Sequence, residues 1–267
     1  MPTTFFGWVG FLLEQYGPLF AAGTGVTLLI ALTGTVLGFV IGLLVAIVRT
    51  VEAPRGAGLV RRAWMGAVHA LMSVYIQVFR GTPMIVQAMV IYYGSMQYLG
   101  LDMDHTAAAI FVISINTGAY MAEIIRGGII SVDKGQFEAA HAIGMTHWQT
   151  MTTVVLPQAI RNILPSVGNE FIVNIKDSSV LNVIAVSELF FQAKSAAGTY
   201  FRYFEVYFIV AVIYLVLTLT VSYILRLVER KMDGPDNYII HGSQSDSRSG
   251  IKVSAENERE AVKRWNA

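Results

Sequence analysis

Long apolar segments separated by short charged loops recur along the chain. Four of them are apolar for about 20 residues or more, the length that a helix needs to cross a membrane. They lie at about 20–48, 83–100, 106–126 and 206–228. A fifth segment, about 162–180, is more polar and carries Glu170 near its middle. The pattern predicts an all-α integral membrane protein with five transmembrane helices, the fourth facing protein or a cavity instead of lipid.

The segment before the second span has a different periodicity. From about 62 to 79, apolar and polar residues form two stripes with spacings of three and four, which is typical of a helix lying at a membrane interface. The apolar stripe comprises Met65, Val68, Met72, Ile76 and Phe79, and the polar stripe comprises Arg62, His69, Ser73, Gln77 and Arg80. The next residues, RGTP, predict a turn with Pro83 at the start of a new helix. A spanning helix over 64–79 is the alternative.

Charged loops give these spans a direction. The loop from Arg49 to Arg62 is basic, and the loop with Asp102 and Asp104 is acidic. Because basic loops stay in the cytoplasm, the N-terminus is expected outside and the C-terminus inside. An additional span over 64–79 would put both aspartates on the side of the basic loop, which argues against it.

The two ends of the chain differ from its centre. Residues 1–16 are expected to be an extracytoplasmic segment, and residues 17–232 the membrane domain. Residues 233–267 lack an apolar core and predict a cytoplasmic polar tail that is largely disordered. A helix over 254–264, capped by Ser254, is the alternative for part of this tail.

Composition agrees with a membrane protein and excludes several kinds of chemistry. Hydrophobic residues make up 54% and charged residues 14%, whereas soluble domains carry roughly 25% charged residues. The net charge of +1 gives no argument for nucleic acid. Zero cysteines exclude disulfides and thiolate metal sites. His141 and His147 are too far apart for two ligands on one helical face, so no metal site is expected.

Between the third and fourth spans lies a polar stretch, residues 127–161, that is too short to form a core of its own. Good helix formers predict a short helix at about 136–145, with Gly144 permitting a left-handed cap. Such a helix either packs on its own spans or inserts into a groove of another protein.

This stretch contains EAAHAIGMTHWQTMTTVVLP (138–157), whose order and spacing resemble the EAA signature of ATP-binding cassette (ABC) importer permeases, with Val154 where isoleucine is usual. The stretches at 75–94, 115–129 and 168–189 look like the corresponding parts of the polar amino acid permeases, the histidine, glutamine and arginine uptake type. The likeness runs from about 17 to 232. The residues that carry the signature are Glu138, Ala139, Ala140, Gly144, Leu156 and Pro157.

The resemblance implies a type I ABC importer permease fold in a bacterial cytoplasmic (inner) membrane. It implies that the helix at 136–145 is a coupling helix seated in a groove of a cytoplasmic ATPase dimer. Glu138 would make a charge contact there, although a solvated helix residue is the alternative. The implied partners also include an extracytoplasmic amino-acid-binding protein and a second permease chain, identical or different. ATP and Mg²⁺ would be bound by the partner ATPase, since this chain has no phosphate-binding G-x-x-x-x-G-K-[ST] loop.

Glu170 is the strongest candidate for a substrate path, since a carboxylate inside a membrane is costly unless it is paired. It could bind a substrate ammonium group, or pair internally with Arg161 or Lys176. Further hydrogen-bonding candidates in the spans are Asn116, Thr117, Asn169 and Asn174, for which helix-to-helix contact is the simpler role.

Two other classes of function compete with this hypothesis. A self-sufficient ion-coupled carrier or channel would use Glu170 as an ion site, but it predicts inverted repeats and broken helices, which the sequence does not indicate. A membrane-embedded enzyme would need a metal cluster or a nucleophile with its base, and neither stands out. The sequence therefore predicts a transport subunit for a polar or charged L-amino acid, without catalytic residues of its own.

Overall fold

The computed structural model describes residues 2–50 and 58–233, and within these ranges it contains helices and no strand. The α-helices are α1 (Phe5–Thr50), α2 (Leu59–Gly81), α3 (Met84–Leu99), α4 (His105–Ile130), α5 (Lys134–Ala142), α6 (His147–Gln149), α7 (Leu156–Asp177), α8 (Leu189–Tyr200) and α9 (Tyr203–Asp233). A π-helical turn (Thr150–Val155) leads into α7, and a 3₁₀ turn (Ser178–Ile184) follows it. The polar tail expected from 233 onward lies outside the described residues, apart from the end of α9.

Helices α1 and α4 form the centre of the bundle and run in the same direction. Successive glycines of α1 face successive side chains of α4, in the pairs Gly34–Ile113, Gly38–Thr117 and Gly42–Met121. Each pair is four residues from the next, which is about one helical turn, so the glycines form one continuous stripe. Small residues let helix backbones approach closely where lipid provides no hydrophobic driving force.

Helix α1 begins before the first predicted span, about 20–48. Helix α1 begins at Phe5, and its first turns bury Trp8 and Leu12 in an apolar cluster with α8 and α9. Pro18 lies inside the helix without ending it. Residues 5–16 therefore pack on the bundle as part of α1, while their extracytoplasmic location stays a prediction.

The helix predicted over 62–79 lies within α2, and its location at a membrane interface stays a prediction. Helix α2 extends to Gly81, and its C-terminal half packs on α4, where the hydroxyl of Tyr75 donates a hydrogen bond to the carbonyl oxygen of Ile115 at 2.7 Å. Polar residues of its second stripe meet protein: a ring nitrogen of His69 lies 3.1 Å from the carbonyl oxygen of Val48. The two-stripe pattern thus reflects contact with α1 and α4 as well as exposure.

Helices α2 and α3 meet at an angle of 112° across a break at residues 82 and 83. Helix α3 continues along α4, burying Ala88 and Tyr92 beside Ala108 and Val112. Both helices therefore pack on α4, as the two parts of a broken span or of a re-entrant loop would.

Three helices are long and apolar enough to cross a membrane, namely α1, α4 and α9, and the bent pair of α2 and α3 qualifies as a fourth when taken together. Helix α7 is more polar. It runs antiparallel to α4, since Ile163 lies against Gly128 and Asn174 lies beside Thr117. Five spans and their orientation remain a prediction, in which α7 is the protein-facing fourth span.

Candidate functional site

A cavity of about 290 Å³ lies where the break between α2 and α3 faces α4 and α7. The break contributes Thr82, Pro83 and Met84; α4 contributes Asn116 and Tyr120; and α7 contributes Glu170, Val173, Asn174 and Asp177. The volume is near the lower end of small-molecule sites, which fits a ligand of few heavy atoms.

Three of the five predicted path residues meet at this cavity. Asn116, Glu170 and Asn174 line it. Thr117 lies beside it and donates a hydrogen bond to Oδ1 of Asn174 at 3.1 Å. Asn169 is not among the lining residues. Asn174 also donates to Oγ1 of Thr35 at 2.8 Å, so it joins α7 to both α4 and α1.

Glu170 is the acidic residue that the sequence singled out, and it is 4% exposed. Glu170 is among the residues that line the cavity, and its role in binding stays a prediction.

Sequence reasoning missed Tyr120, Asp177 and the residues of the break. A simple signal was present, since Tyr120 is four residues after Asn116 and Asp177 is seven after Glu170, so each pair shares a helical face. The guanidinium of Arg80 lies over the ring of Tyr120, 5.3 Å from its centroid, and brings a positive charge near the cavity.

The predicted coupling segment folds as a short helix followed by a glycine stop. Helix α5 begins after Asp133, whose side chain accepts a hydrogen bond from the backbone N–H of Gly135. Gly144 has φ +83°, a left-handed conformation that other residues rarely adopt. Thr146 and Gln149 then cap the next turn reciprocally. Helix α7 continues from the π-helical turn at Leu156, with Pro157 in its first turn.

The segment divides its side chains between the bundle and solvent. Phe137 packs with Val132 and Val155, and Ala140 is buried within the chain. Glu138 and Ala139 are exposed. Ala140, which we expected to fit against a partner, thus supports the helix from inside.

Two large apolar side chains at this end of the bundle have little contact with the chain itself. Ile143 is 78% exposed and Trp148 is 76% exposed, on either side of Gly144. Exposed apolar side chains outside the predicted spans are candidates for contact with another protein. Neither residue is one of the positions that define the EAA signature.

An ion cluster ties α1 to α4 near this end. The carboxylate of Glu123 is paired with Arg126 on its own helix and with Arg49 of α1. Within residues 2–50 and 58–233, histidines, aspartates and glutamates form no group of three that could hold a metal ion.

Comparison with known proteins decides the family. Residues 56–234 match the family described as "Binding-protein-dependent transport system inner membrane component". The chain belongs to this family. The chain is therefore a membrane component of a transport system. It is a permease, a transport subunit and not an enzyme, as predicted.

Relatives support the same assignment over nearly their whole length. The glutamine transport system permease protein GlnP of Escherichia coli (strain K12) is 43% identical over 216 residues, which cover 80% of the permease and 93% of GlnP. The arginine transport system permease protein ArtQ of Bacillus subtilis (strain 168) is 35% identical over 219 residues, covering 82% and 94% of the two chains.

Solved structures agree on the fold. A chain of an amino acid ABC transporter crystallised with histidines superposes with a TM-score of 0.75 at 40% identity, covering 86% of the permease and all of that chain. A chain of the inward-facing MetNI methionine ABC transporter gives a TM-score of 0.67 at 21% identity, which bears on the fold alone. The permease has the type I ABC importer fold that its EAA signature implied, and the ion-coupled carrier is not supported.

Proposed function

We propose that this permease translocates a polar or charged L-amino acid across a bacterial cytoplasmic membrane by alternating access. The observation that carries the proposal is the cavity at the break between α2 and α3, because it collects carboxylate, amide and hydroxyl groups in the middle of an apolar bundle. An amino acid carries an ammonium and a carboxylate that need such partners once water is removed. The relatives named for glutamine and arginine transport support the substrate class.

Partner chains complete the proposed transporter. A second permease chain encloses the path, an extracytoplasmic binding protein delivers the amino acid, and an ATPase dimer binds ATP and Mg²⁺. The family description supports the binding protein in general. The ATPase drives transport by binding the coupling segment differently in its open and closed states.

We assign Glu170 to the substrate ammonium group. The carboxylate lines the cavity from α7 and faces a site that also contains Asn116 and Tyr120. A charge-assisted hydrogen bond in a water-poor site contributes about 1.5–3 kcal/mol, so its loss weakens binding by about tenfold or more.

Glu170→Gln tests this assignment in proteoliposomes that contain the permease, its ATPase and its binding protein. We expect uptake of the transported amino acid, found in a panel of L-glutamine, L-glutamate, L-arginine and L-histidine, to fall about tenfold or more. Glu14→Gln is the matched control, because Glu14 is an exposed carboxylate on α1 away from the cavity. Equal uptake by the two variants would remove Glu170 from the path.

We further propose that the coupling surface consists of Glu138, Ile143 and Trp148. All three are exposed around α5, while Phe137 and Ala140 fix the helix to the bundle. Aromatic side chains of this kind dominate the binding energy of protein interfaces.

Trp148→Ala is expected to weaken copurification of the ATPase and to lower transport-coupled ATP hydrolysis, because truncating an interface tryptophan costs about 2 kcal/mol or more. Its matched control is Trp64→Ala, since Trp64 is similarly exposed, at 71%, but lies on α2. Gly144→Asp and reversal of the charge at Glu138 should uncouple the ATPase without preventing membrane insertion. Unchanged coupling in Trp148→Ala and Gly144→Asp would contradict the proposed surface.

A further inference from the structure

The break between α2 and α3 leaves backbone groups that need partners. In a continuous helix, the carbonyl oxygen of Phe79 would accept from the backbone nitrogen of residue 83, but Pro83 has no N–H. The carbonyl oxygen of Thr82 also lacks a helical partner, since the N–H of Val86 donates to Pro83 instead. Unpaired backbone groups cost several kcal/mol in a bilayer, so side chains or water must satisfy them.

Gln87 supplies the missing donors. Its Nε2 lies 3.0 Å from the carbonyl oxygen of Phe79, 2.9 Å from that of Thr82 and 2.9 Å from Thr82 Oγ1. The Thr82 hydroxyl can accept, because it donates its own proton to the carbonyl oxygen of Val78 at 2.8 Å. One amide of α3 thus binds both the end of α2, at Phe79, and the break itself, at Thr82.

Asn116 of α4 completes this network. Its Nδ2 donates to the carbonyl oxygen of Phe79 at 3.1 Å and to Oε1 of Gln87 at 2.9 Å. Both protons of each amide have an acceptor, and the oxygen of Gln87 has a donor. Exchanging the nitrogen and oxygen of Gln87 would bring the NH₂ groups of Gln87 and Asn116 together and leave the carbonyl oxygen of Thr82 without a donor, so the network fixes the orientation of the amide.

We infer that Gln87 is a positioning residue that holds the break between α2 and α3 at the angle that keeps the cavity open toward Thr82 and Asn116. Gln87 itself is 6% exposed and does not line the cavity, so its influence on a ligand passes through the residues that it binds. The effect of Gln87 on ligand binding rests on the proposed function of the cavity. Its effect on the angle between α2 and α3 does not.

The position of Gln87 suits this task. It lies four residues after Pro83 in the first turn of α3, where a long side chain points back toward the start of its helix. Another glutamine on the same helix, Gln97, is exposed and provides a matched control. The absence of cysteine from the chain makes site-specific labelling straightforward.

The test measures the break directly. Cysteines replace Val74 on α2 and Leu99 on α3, both exposed, and carry spin labels in full transporter complexes assembled with an excess of unlabelled chain. We expect one narrow distance distribution in the parent and in Gln97→Met, and a broadened or shifted distribution in Gln87→Met. If Gln87→Met does not fold, Gln87→Glu replaces it. The glutamate keeps size and polarity but cannot donate to two carbonyls when ionised, so we expect the same broadened or shifted distribution.

A second measurement separates positioning from stability. Equilibrium binding of the tritiated amino acid that the parent transports, measured on the complex without binding protein, is expected to weaken about fivefold or more in Gln87→Met. The maximal ATPase rate should stay close to that of Gln97→Met. Unchanged distance distributions would overturn the inference, and so would a broadened distribution with unchanged amino acid affinity. Failure of the parent to bind any amino acid of the panel would refute the proposed function instead, while the distances still report on the break.

Discussion

On the face that meets α1, helix α4 packs against three glycines with no space for a further methyl group, whereas on the face that meets α2, α3 and α7 it borders a polar cavity. A Cβ atom at Gly38 would lie 2.7 Å from Cβ of Thr117. On the other face, Asn116 binds a helix break through its side chain. One helix thus combines a tight apolar contact with an interface of hydrogen-bonded groups and open space.

The difference indicates which contacts can change during transport. Close-packed surfaces deform poorly, because a small separation forfeits much of their dispersion energy. Hydrogen-bonded groups around a cavity can exchange partners with water or with a ligand. We therefore expect α1 and α4 to move as one body and the cavity face to change between states.

The largest effect is expected from breaking the tight face. In Gly42→Ala, the new Cβ would meet the backbone of α4, with the nitrogen of Ala122 at 2.7 Å, and a backbone cannot rotate away. Overpacking costs about 1–3 kcal/mol, so the thermal midpoint of the purified permease should fall clearly. Gly25→Ala is the control, because nothing lies within 4 Å of its added methyl group. Equal midpoints for the two variants would show that the stripe is not tightly packed.

A smaller effect is expected where the two faces meet. Asn174 bonds to Thr117 on α4 and to Thr35 on α1, so Asn174→Leu removes both hydrogen bonds at once. Hydrogen bonds between membrane helices contribute about 0.6 kcal/mol each on average, which predicts a loss of about 1 kcal/mol. Asn169→Leu, five residues earlier on α7 and outside the cavity, serves for comparison. In a double-mutant cycle, Asn174→Leu and Thr35→Val should have non-additive effects on stability, because each removes the same hydrogen bond. Additive effects would contradict a link between the two faces through Asn174.

Part of this architecture follows from sequence patterns. The spans on α4 and α9 are recognisable because their apolar residues are continuous, and the coupling segment because its residue types and spacing recur with a fixed role. Glu170 is detectable because an acidic residue inside a span is costly. Each of these signals lies within a short stretch of the chain, so it can be recognised in a single sequence.

The remaining features depend on contacts between distant segments. The polar stripe of α2 resembles that of an interfacial helix, since periodicity does not reveal whether His69 meets water or the carbonyl of Val48. The role of Gln87 depends on Asn116, 29 residues away. Trp148 and Ile143 are apolar in sequence, and only their exposure in the folded chain marks them as a surface.

The most direct test of the whole account is a comparison of two cysteines in the cysteine-free chain. Val173→Cys lines the cavity, and Met121→Cys is fully buried against Gly42. Labelling by a charged thiol reagent is measured in complexes without nucleotide and in complexes trapped with ATP and vanadate. We predict that labelling at position 173 changes by about tenfold or more between the two states, corresponding to at least about 1.4 kcal/mol, while position 121 stays unlabelled in both. Equal labelling of position 173 in the two states, or reaction at position 121, would contradict a rigid α1–α4 pair with a moving cavity face.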